Sequence, residues 1–572
     1  MNIKKLTFVL SLALLILPFA GCDSAQANYS GDSYKGSWAQ VADIIESVNP
    51  PVFADKDFNI KDYGAVDNAK VDSRKAIIKA IAACSEAGGG RVVIPAGTYL
   101  SNGPIHLQSN INFHLAEGSR ILFGTNFQDY LPPVLTRWEC TRIYNYSPLV
   151  YAYQKKNVAI TGKGILDGQA EKTWCGWTKA EMKKDVSKNR KMNEQGVALE
   201  KRVFGKGSRL RPAMIQFYEC ENLLVEDISI LDSPFWCLHP VFSKNITVRN
   251  IRFTAGNINN DGIDVDSCED VYIHDIIFDN HDDCIAIKSG RGPEGRALGR
   301  PARNVYIRDC IFNAYTAIAI GSEIGGSIYN IFAENSHAES QCKRGLNIKG
   351  SRQRGGEVSH IRCRNMQFLD TTQEMLTISS TYGGRSGDFP PYYHDIRWED
   401  IQAEGPCTLA LRVAGQYDVA AENIVLKNIN VKKADKIKEI KDVKNLITQN
   451  VTLVDEKLPS AKNLPPDVYA GKDQQLAKPK KIKLKGSAAD DGTPYGEMTY
   501  KWSVVQGDAG AVKIENPKSL ETKAKFSKDG IYILKLAAND GELTGYHFTM
   551  IKVGDQPERM DGVKKPIFTS SK

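Results

Sequence analysis

From Asn222 onward the chain writes one hydrophobic pattern again and again. NLLVEDISI at Asn222, NITVRNIRF at Asn245, DVYIHDIIF at Asp270 and NVYIRDCIF at Asn304 are followed by NIFAENSHA at Asn330, HIRCRNMQF at His360, DIRWEDIQA at Asp395 and NIVLKNINV at Asn423. Each copy opens on Asn, Asp or His, spaces its apolar residues by two, and carries Asn or Asp five places on before a second apolar pair. A period of two is the mark of a strand rather than a helix. Successive copies start 23 to 35 residues apart. A unit this short cannot bury its own apolar face, so it must stack on its neighbours. Stacking lines up the Asn and Asp positions in ladders at the turns, where their side chains satisfy local backbone groups. The pattern predicts a parallel β-helix in which these asparagines are structural.

NVAITGKGILDG at Asn157 extends the stack toward the N-terminus. Before it, residues 57–125 carry DFNIKDYGAVDN, a helical AIIKAIAACSEAG, GGGRVVIPAGTYL and FHLAEGSRILFG. The helix is predicted to cover the open end of the stack, as solenoids require. Past Lys432 the periodicity fades into KKADKIKEIKDVKNLITQN and reaches Pro465-Pro466, which predicts a connector over 432–466. Residues 467–555 then alternate as short strands, KIKLKGSA, MTYKWSVVQG, YILKLAANDG and YHFTMIKVG, with glycine turns between them. That is the signature of a β-sandwich. The expected fold is all-β: a β-helix over 57–431 and a C-terminal sandwich over 467–555, with a linker at 23–56 and a tail at 556–572.

Lys4 and Lys5 precede an apolar run from Leu6 to Ala20 that ends in Gly21-Cys22. This reads as a secretory signal over 1–22. Gly21-Cys22 resembles the lipobox of bacterial lipoproteins, which implies acylation at Cys22 and an exported outer-membrane lipoprotein, periplasmic or at the cell surface. No other apolar run approaches the roughly 18 residues that span a bilayer, so membrane contact is expected only through that anchor. Of the 12 cysteines, the 11 beyond Cys22 lie between Cys84 and Cys407 without a C-x-x-C pair or a zinc-type histidine spacing. No metal site and no cofactor are expected. Cys220, Cys284, Cys310 and Cys363 sit in apolar strand slots and read as small core residues, with one or two disulfides left open. A net charge of +7 over 572 residues is too diffuse for nucleic-acid binding and is compatible with a polyanionic sugar chain.

One stretch has more acid than strand building needs: Asn259-Asn260-Asp261-Gly262-Ile263-Asp264, then His281-Asp282-Asp283-Cys284-Ile285-Ala286-Ile287-Lys288-Ser289-Gly290. Asp261 and Asp282 are 21 residues apart, about one coil, so they should lie side by side on neighbouring turns with Asp283 next to them. Hydrolysing a glycosidic bond with inversion needs a protonated carboxyl for the leaving oxygen and an ionised one for water. Crowded carboxylates supply that division by raising one pKa and leaving another low. Asp264, Asp266 and Asp167 read instead as turn or ladder residues, and His239 as a structural hydrogen-bonding histidine.

NNDGIDVDS followed by DDCIAIKSG resembles the signature of glycoside hydrolase family 28, the polygalacturonases and rhamnogalacturonases. FNIKDYGAVDN, GGGRVVIPAGTY, GILDG and MIQFYECENLLVEDISILDSPFWCLHP strengthen the likeness, which spans roughly residues 57–431. The resemblance implies a right-handed parallel β-helix of the pectin lyase-like kind, Asp282 as general acid, and Asp261 with Asp283 as activators of water. Likewise, Trp502 and AANDGELTG resemble a PKD-type, immunoglobulin-like module.

Departures from the family pattern bear on the substrate. Where members acting on homogalacturonan carry a histidine before an IGS sequence, this chain has Thr316, and in place of the arginine of an Arg-Ile-Lys triplet it has Asn347, while Lys349 is kept. A lysine beside the scissile sugar pairs with a uronate carboxylate. Loss of the histidine and arginine points to a neutral neighbour such as rhamnose. The expected substrate is therefore a galacturonate-containing pectic polysaccharide, of rhamnogalacturonan or branched type first and exo-cleaved polygalacturonate second. Asn259, Asn347, Thr316, Lys349, Tyr382 and Arg352 are the candidate sugar contacts, with Arg354 and Arg385 nearby; Tyr382 corresponds by resemblance to a stacking tyrosine. Two rivals stand beside this reading: a β-helical lyase holding calcium on the aspartates, and an inactive glycan-binding β-helix.

Overall fold

The computed structural model describes residues 35–340, 342–494 and 496–555. The signal at 1–22, the acylation expected at Cys22 and the tail at 556–572 lie outside these residues. The central coils of the stack contribute three short strands each, which merge into longer continuous strands such as Tyr392–Ala414 toward the C-terminal end. Leu238–Val241, Lys244–Arg249 and Arg252–Ala255 form one turn. Ile263–Asp266, Glu269–His274 and Ile277–Asn280 form the next. Asp283–Lys288, Ala302–Arg308 and Ile311–Phe312 form the one after. Every strand pairs in parallel with its counterpart one coil on, so that Ile246, Val271, Val305 and Ile331 fall in one register column. Phe253 and Phe278 stack within the barrel at 5.1 Å between ring centres. Full burial of each such side chain stabilises the stack by about 1.5–3 kcal/mol, and that gain exists only once a neighbouring coil is in place.

The turns are held by the predicted amide ladders. Asn222 donates to Asn157 at 3.0 Å, Asn245 to Asn222 at 3.0 Å, Asn304 to Asp270 at 2.9 Å and Asn330 to Asn304 at 3.1 Å. A second column runs through the positions five places on, with Asn365 donating to Asn335 at 2.7 Å and Asn450 to Asn428 at 3.0 Å. These residues also bend the chain: Asn157, Asn222, Asn245, Asn304 and Asn330 have φ between 55° and 60°. Asparagine tolerates that left-handed region better than other side chains do, which is why one residue type recurs there. The helix Arg74–Glu86 closes the N-terminal end, burying Ala76, Ile77, Ala80, Ile81 and Cys84.

The structure departs from the expected boundaries at both ends. Residues 432–453 are not a connector: Ala421–Lys441 and Val443–Leu453 are strands that continue the parallel stack, with Leu411 beside Lys438 and Ile424 beside Leu446. Lysine obscured the pattern because the final coil needs an apolar inner face only. Ala434, Ile437, Val443 and Leu446 supply it, while Lys432, Lys433 and Lys436 face solvent. Nor is 23–56 wholly a linker. Gln40–Ser47 is a helix on the flank of the stack, where Trp38, Val41, Ile44 and Val48 bury themselves with Tyr306 and Phe332.

The C-terminal domain is a sandwich of a four-stranded and a three-stranded sheet closed around Trp502. It docks on the β-helix through Asp467, which accepts from Ser37 N–H at 3.0 Å and from Arg362 at 3.1 Å, while Arg362 also reaches Asp395 at 2.9 Å. All 11 described cysteines are unpaired, and all but Cys175 are buried. Among the described residues no helix is long and apolar enough to cross a membrane.

Candidate active site

Asp261 precedes one strand and Asp282-Asp283 open the equivalent strand of the next coil; the two strands pair with Ile263 opposite Ile285. This register gathers the three carboxylates, each offering an oxygen within 4.8 Å of the others. Asn280 ties the two segments together. Its amide donates to the carbonyls of Asn260 at 2.8 Å, Asp283 at 3.1 Å and Asp282 at 3.2 Å. Gly262 is required by close approach, because a Cβ there would stand 2.5 Å from the Cys284 carbonyl and 2.6 Å from the Phe278 ring. Asp261 and Asp283 are buried, and Asp282 is partly buried.

Two ammonium groups share the space. Lys349 Nζ lies 2.9 Å from Asp283, and Lys288 Nζ lies 3.4 Å from Asp264, 3.8 Å from Asp261 and 3.9 Å from Glu323. Burial by itself would raise the Asp283 carboxyl, but Lys349 and then Lys288 outweigh it and hold the group below the usual carboxylate range. Asp282 moves the other way, pushed up by burial and then by the charge on Asp283. Burial, Asp264 and Asp282 drive Asp261 well upward as well. Adjacent residues on one strand are thus prepared for opposite protonation states. A cation would have to share the trio with two ammonium groups already at its edge, which counts against a calcium site there.

The other predicted residues divide. Thr316 is fully buried one rung above Asp283, and Asn347 lies two residues before Lys349 on the same face of its strand. The Tyr382 ring centre is 5.6 Å from Lys349 Nζ and 5.4 Å from Arg354 Cζ, so the ring borders the site. Asn259 accepts from Arg211 at 2.9 Å and is held at the rim. Arg352 is committed elsewhere: it donates to the Gly387 carbonyl at 2.7 Å and pairs with Asp418 at 2.6 Å, so it braces a loop. His239 is buried between Gln216, at 2.9 Å, and Asp266, at 3.4 Å, as its structural reading expected.

Sequence reasoning missed several members. Asp264 is no turn residue but a buried strand residue paired with Lys288, and Asp266 is buried against Arg137 at 2.9 Å. Both face outward because they alternate with Ile263 and Val265, which enter the core. The same period of two in DDCIAIK marks Lys288 as site-facing. Glu323 joins the centre by pairing with Arg354 at 2.7 Å and Arg291 at 3.2 Å. Its carboxyl is driven to the acid side: burial opposes ionisation, and Arg354, Lys288 and Arg291 overcome it.

The family model for glycosyl hydrolases family 28 matches residues 84–452, and a PKD domain model matches 470–553. A probable polygalacturonase of Vitis vinifera is 27% identical over 401 residues, covering 67% of this chain and 75% of that protein. An exo-poly-alpha-D-galacturonosidase of Dickeya chrysanthemi is 25% identical, covering 60% and 61%. The crystal structure of a hyperthermoactive exopolygalacturonase from Thermotoga maritima matches with a TM-score of 0.69 and 36% identity, over 72% of this chain and 95% of that one.

Proposed function

Because the chain belongs to the glycosyl hydrolases of family 28, we propose that this glycoside hydrolase removes galacturonate from the ends of acidic pectic chains, with Asp282 as proton donor, Asp283 as principal base and Asp261 as the group that positions water. The observation that carries the assignment is the opposite drive on neighbours: Asp282 upward, Asp283 downward under Lys349. A donor must hold its proton and a base must not. Asp261 shares the water but is the weaker base, since its surroundings favour protonation.

The exo-acting relatives from Dickeya and Thermotoga support the end-cutting choice. Thr316 and Asn347 favour a second reading, a rhamnogalacturonan-type substrate with a neutral sugar on the leaving side. Inversion is the expected stereochemistry. The trio's closest oxygens, within 4.8 Å, are tighter than the roughly 6.5–9.5 Å of an ordinary inverting pair. In the proposed arrangement Asp261 and Asp283 hold the attacking water between them, on the side of the anomeric carbon away from the oxygen that Asp282 protonates.

Product analysis on trigalacturonate, homogalacturonan and rhamnogalacturonan oligosaccharides tests the proposal. Monogalacturonate should appear from the first time points, with the inverted anomer leading by NMR. Asp282→Asn should lose about 10²- to 10⁴-fold in kcat with unchanged circular dichroism. An ultraviolet-absorbing unsaturated product would indicate elimination instead, and binding without new reducing ends would indicate a glycan-binding protein. We further propose that Cys22 tethers the enzyme at the cell envelope; labelling with radioactive palmitate should disappear in Cys22→Ser.

A further inference from the structure

Beside the trio the fold builds a second, cationic chamber. Arg190 on the helix Lys179–Glu194, Arg291 just past the strand Asp283–Lys288, and Arg385 in the loop after Tyr382 line a cavity of about 370 Å³ together with Glu194, Gln353 and Ser386. Two of the arginines are fixed in place. Arg190 grips Glu139 at 2.8 and 3.0 Å, and Arg291 lies 2.9 Å from Glu139 and 3.2 Å from Glu323. Glu139 itself sits at a two-residue turn with Cys140, φ 41° and 60°, joining the paired strands Val134–Trp138 and Thr141–Asn145. Positive φ at both positions is the geometry that suits a tight hairpin. Asn193 completes the frame by donating to the Arg291 carbonyl at 3.0 Å.

Arg385 is different. Among the described residues it has no carboxylate within ion-pair distance, and its buried Nη1 has no hydrogen-bond acceptor. Burial and the neighbouring charges of Arg291 and Arg190 bear on it unfavourably. An uncompensated planar fork beside two immobilised guanidinium groups is suited to an incoming carboxylate, which it can bind bidentately. The Tyr382 ring links this chamber to the chemistry: its centre is 6.0 Å from Arg385 Cζ and 5.6 Å from Lys349 Nζ, and Lys349 is the ammonium on Asp283.

We propose that the chamber is a subsite for the carboxylate of a second uronosyl residue, with Arg385 as the contacting group and the chain of sugars running over Tyr382. This rests on the trio being the centre that hydrolyses galacturonate. It also supplies, from a helix, a strand end and a loop, a cation that Asn347 does not provide on its strand. The bound ligand is then an acidic oligosaccharide with uronates at two positions, and a neutral sugar in the second position would leave the chamber unfilled.

The test uses the full chain carrying Asp282→Asn, so that ligand survives, with and without Arg385→Gln. Calorimetry is run with trigalacturonate and with its fully methyl-esterified form. Arg385→Gln should weaken trigalacturonate binding about ten- to hundredfold, the range for a hydrogen bond to a charged group, and weaken the ester by less than about twofold. Equal losses on both ligands, no loss on either, or no binding of trigalacturonate to the Asp282→Asn protein would overturn the subsite. If the carboxylate-specific loss appears but the wild-type protein releases no sugar, the subsite stands and the hydrolytic reading falls. If the wild type hydrolyses oligogalacturonates and Arg385→Gln shows no preference, the reverse holds.

Discussion

Replacing Lys349 with methionine should move the acid limb of the pH–activity profile upward. The Lys349–Asp283 pair is buried, with side-chain exposures of 12% and 5%, at 2.9 Å. A charge-assisted hydrogen bond of this kind is worth about 1.5–3 kcal/mol. At about 1.36 kcal/mol per pKa unit, its loss corresponds to roughly one to two units. The sign follows from what remains: without Lys349, burial still raises Asp283 and only Lys288 and weaker contacts oppose it. Asp283 must be ionised to take a proton from water, so a higher pKa demands a higher pH before activity appears. Asp282 feels Lys349 too, by charge and without a direct bond, so the alkaline limb should rise by less. The bell in kcat/KM would therefore shift up and narrow. The measurement is kcat/KM on an oligogalacturonate across pH at constant ionic strength, because that parameter reports the free enzyme. Lys349→Arg, which keeps the charge, should restore the acid limb even if affinity falls. An acid limb that stays put in Lys349→Met, or moves down, refutes the assignment of Asp283 as the base held by Lys349.

Two further substitutions test how the scaffold holds the site. Gly262→Ala forces a methyl group against the Cys284 carbonyl and the Phe278 ring, so it should cost about 1–3 kcal/mol by thermal denaturation and lower kcat as Asp261 is displaced. An unchanged melting temperature would show that the two coils do not press together there. Asn304→Ala loses the bond to Asp270 and those received from Asn330 and Gln40 and keeps a left-handed backbone, for a loss of about 2–4 kcal/mol in urea titration. A loss no larger than that of an exposed loop asparagine would remove the ladder from the energetics.

The stack was readable because its rule is local and repeated: alternation gives the strands, and an asparagine, aspartate or histidine at each opening position gives the turns. Asp261 and Asp282 could be paired from spacing alone, since one coil separates them. Lys288 and Asp264 were visible in principle, as each lies two residues from another outward position on a strand already recognised. The last coil was hidden because Lys436 and Lys438 occupy a surface strand where an apolar outer face is unnecessary. Arg190, Arg291 and Arg385 were beyond any spacing argument. They come from a helix, a strand end and a loop up to 195 residues apart, and only the path of the insertions over the stack brings them together. Arg352 shows the converse, since its neighbourhood was right while Asp418, an acid far along the chain, decided its direction.

Each coil closes on polar side chains that bond chiefly to the coils above and below, so the chain between closures can lengthen without disturbing the stack. The helix Lys179–Glu194 is such a detour, leaving after Asp167 and returning at Ile215. On the proposed assignment the bond-breaking carboxylates belong to the regular rungs, whereas Arg190 and Arg385 ride on excursions. If both proposals hold, cutting power and sugar preference are carried by separable parts of one polypeptide, and exchanging the excursion for another should retune what is accepted while leaving the scissors untouched.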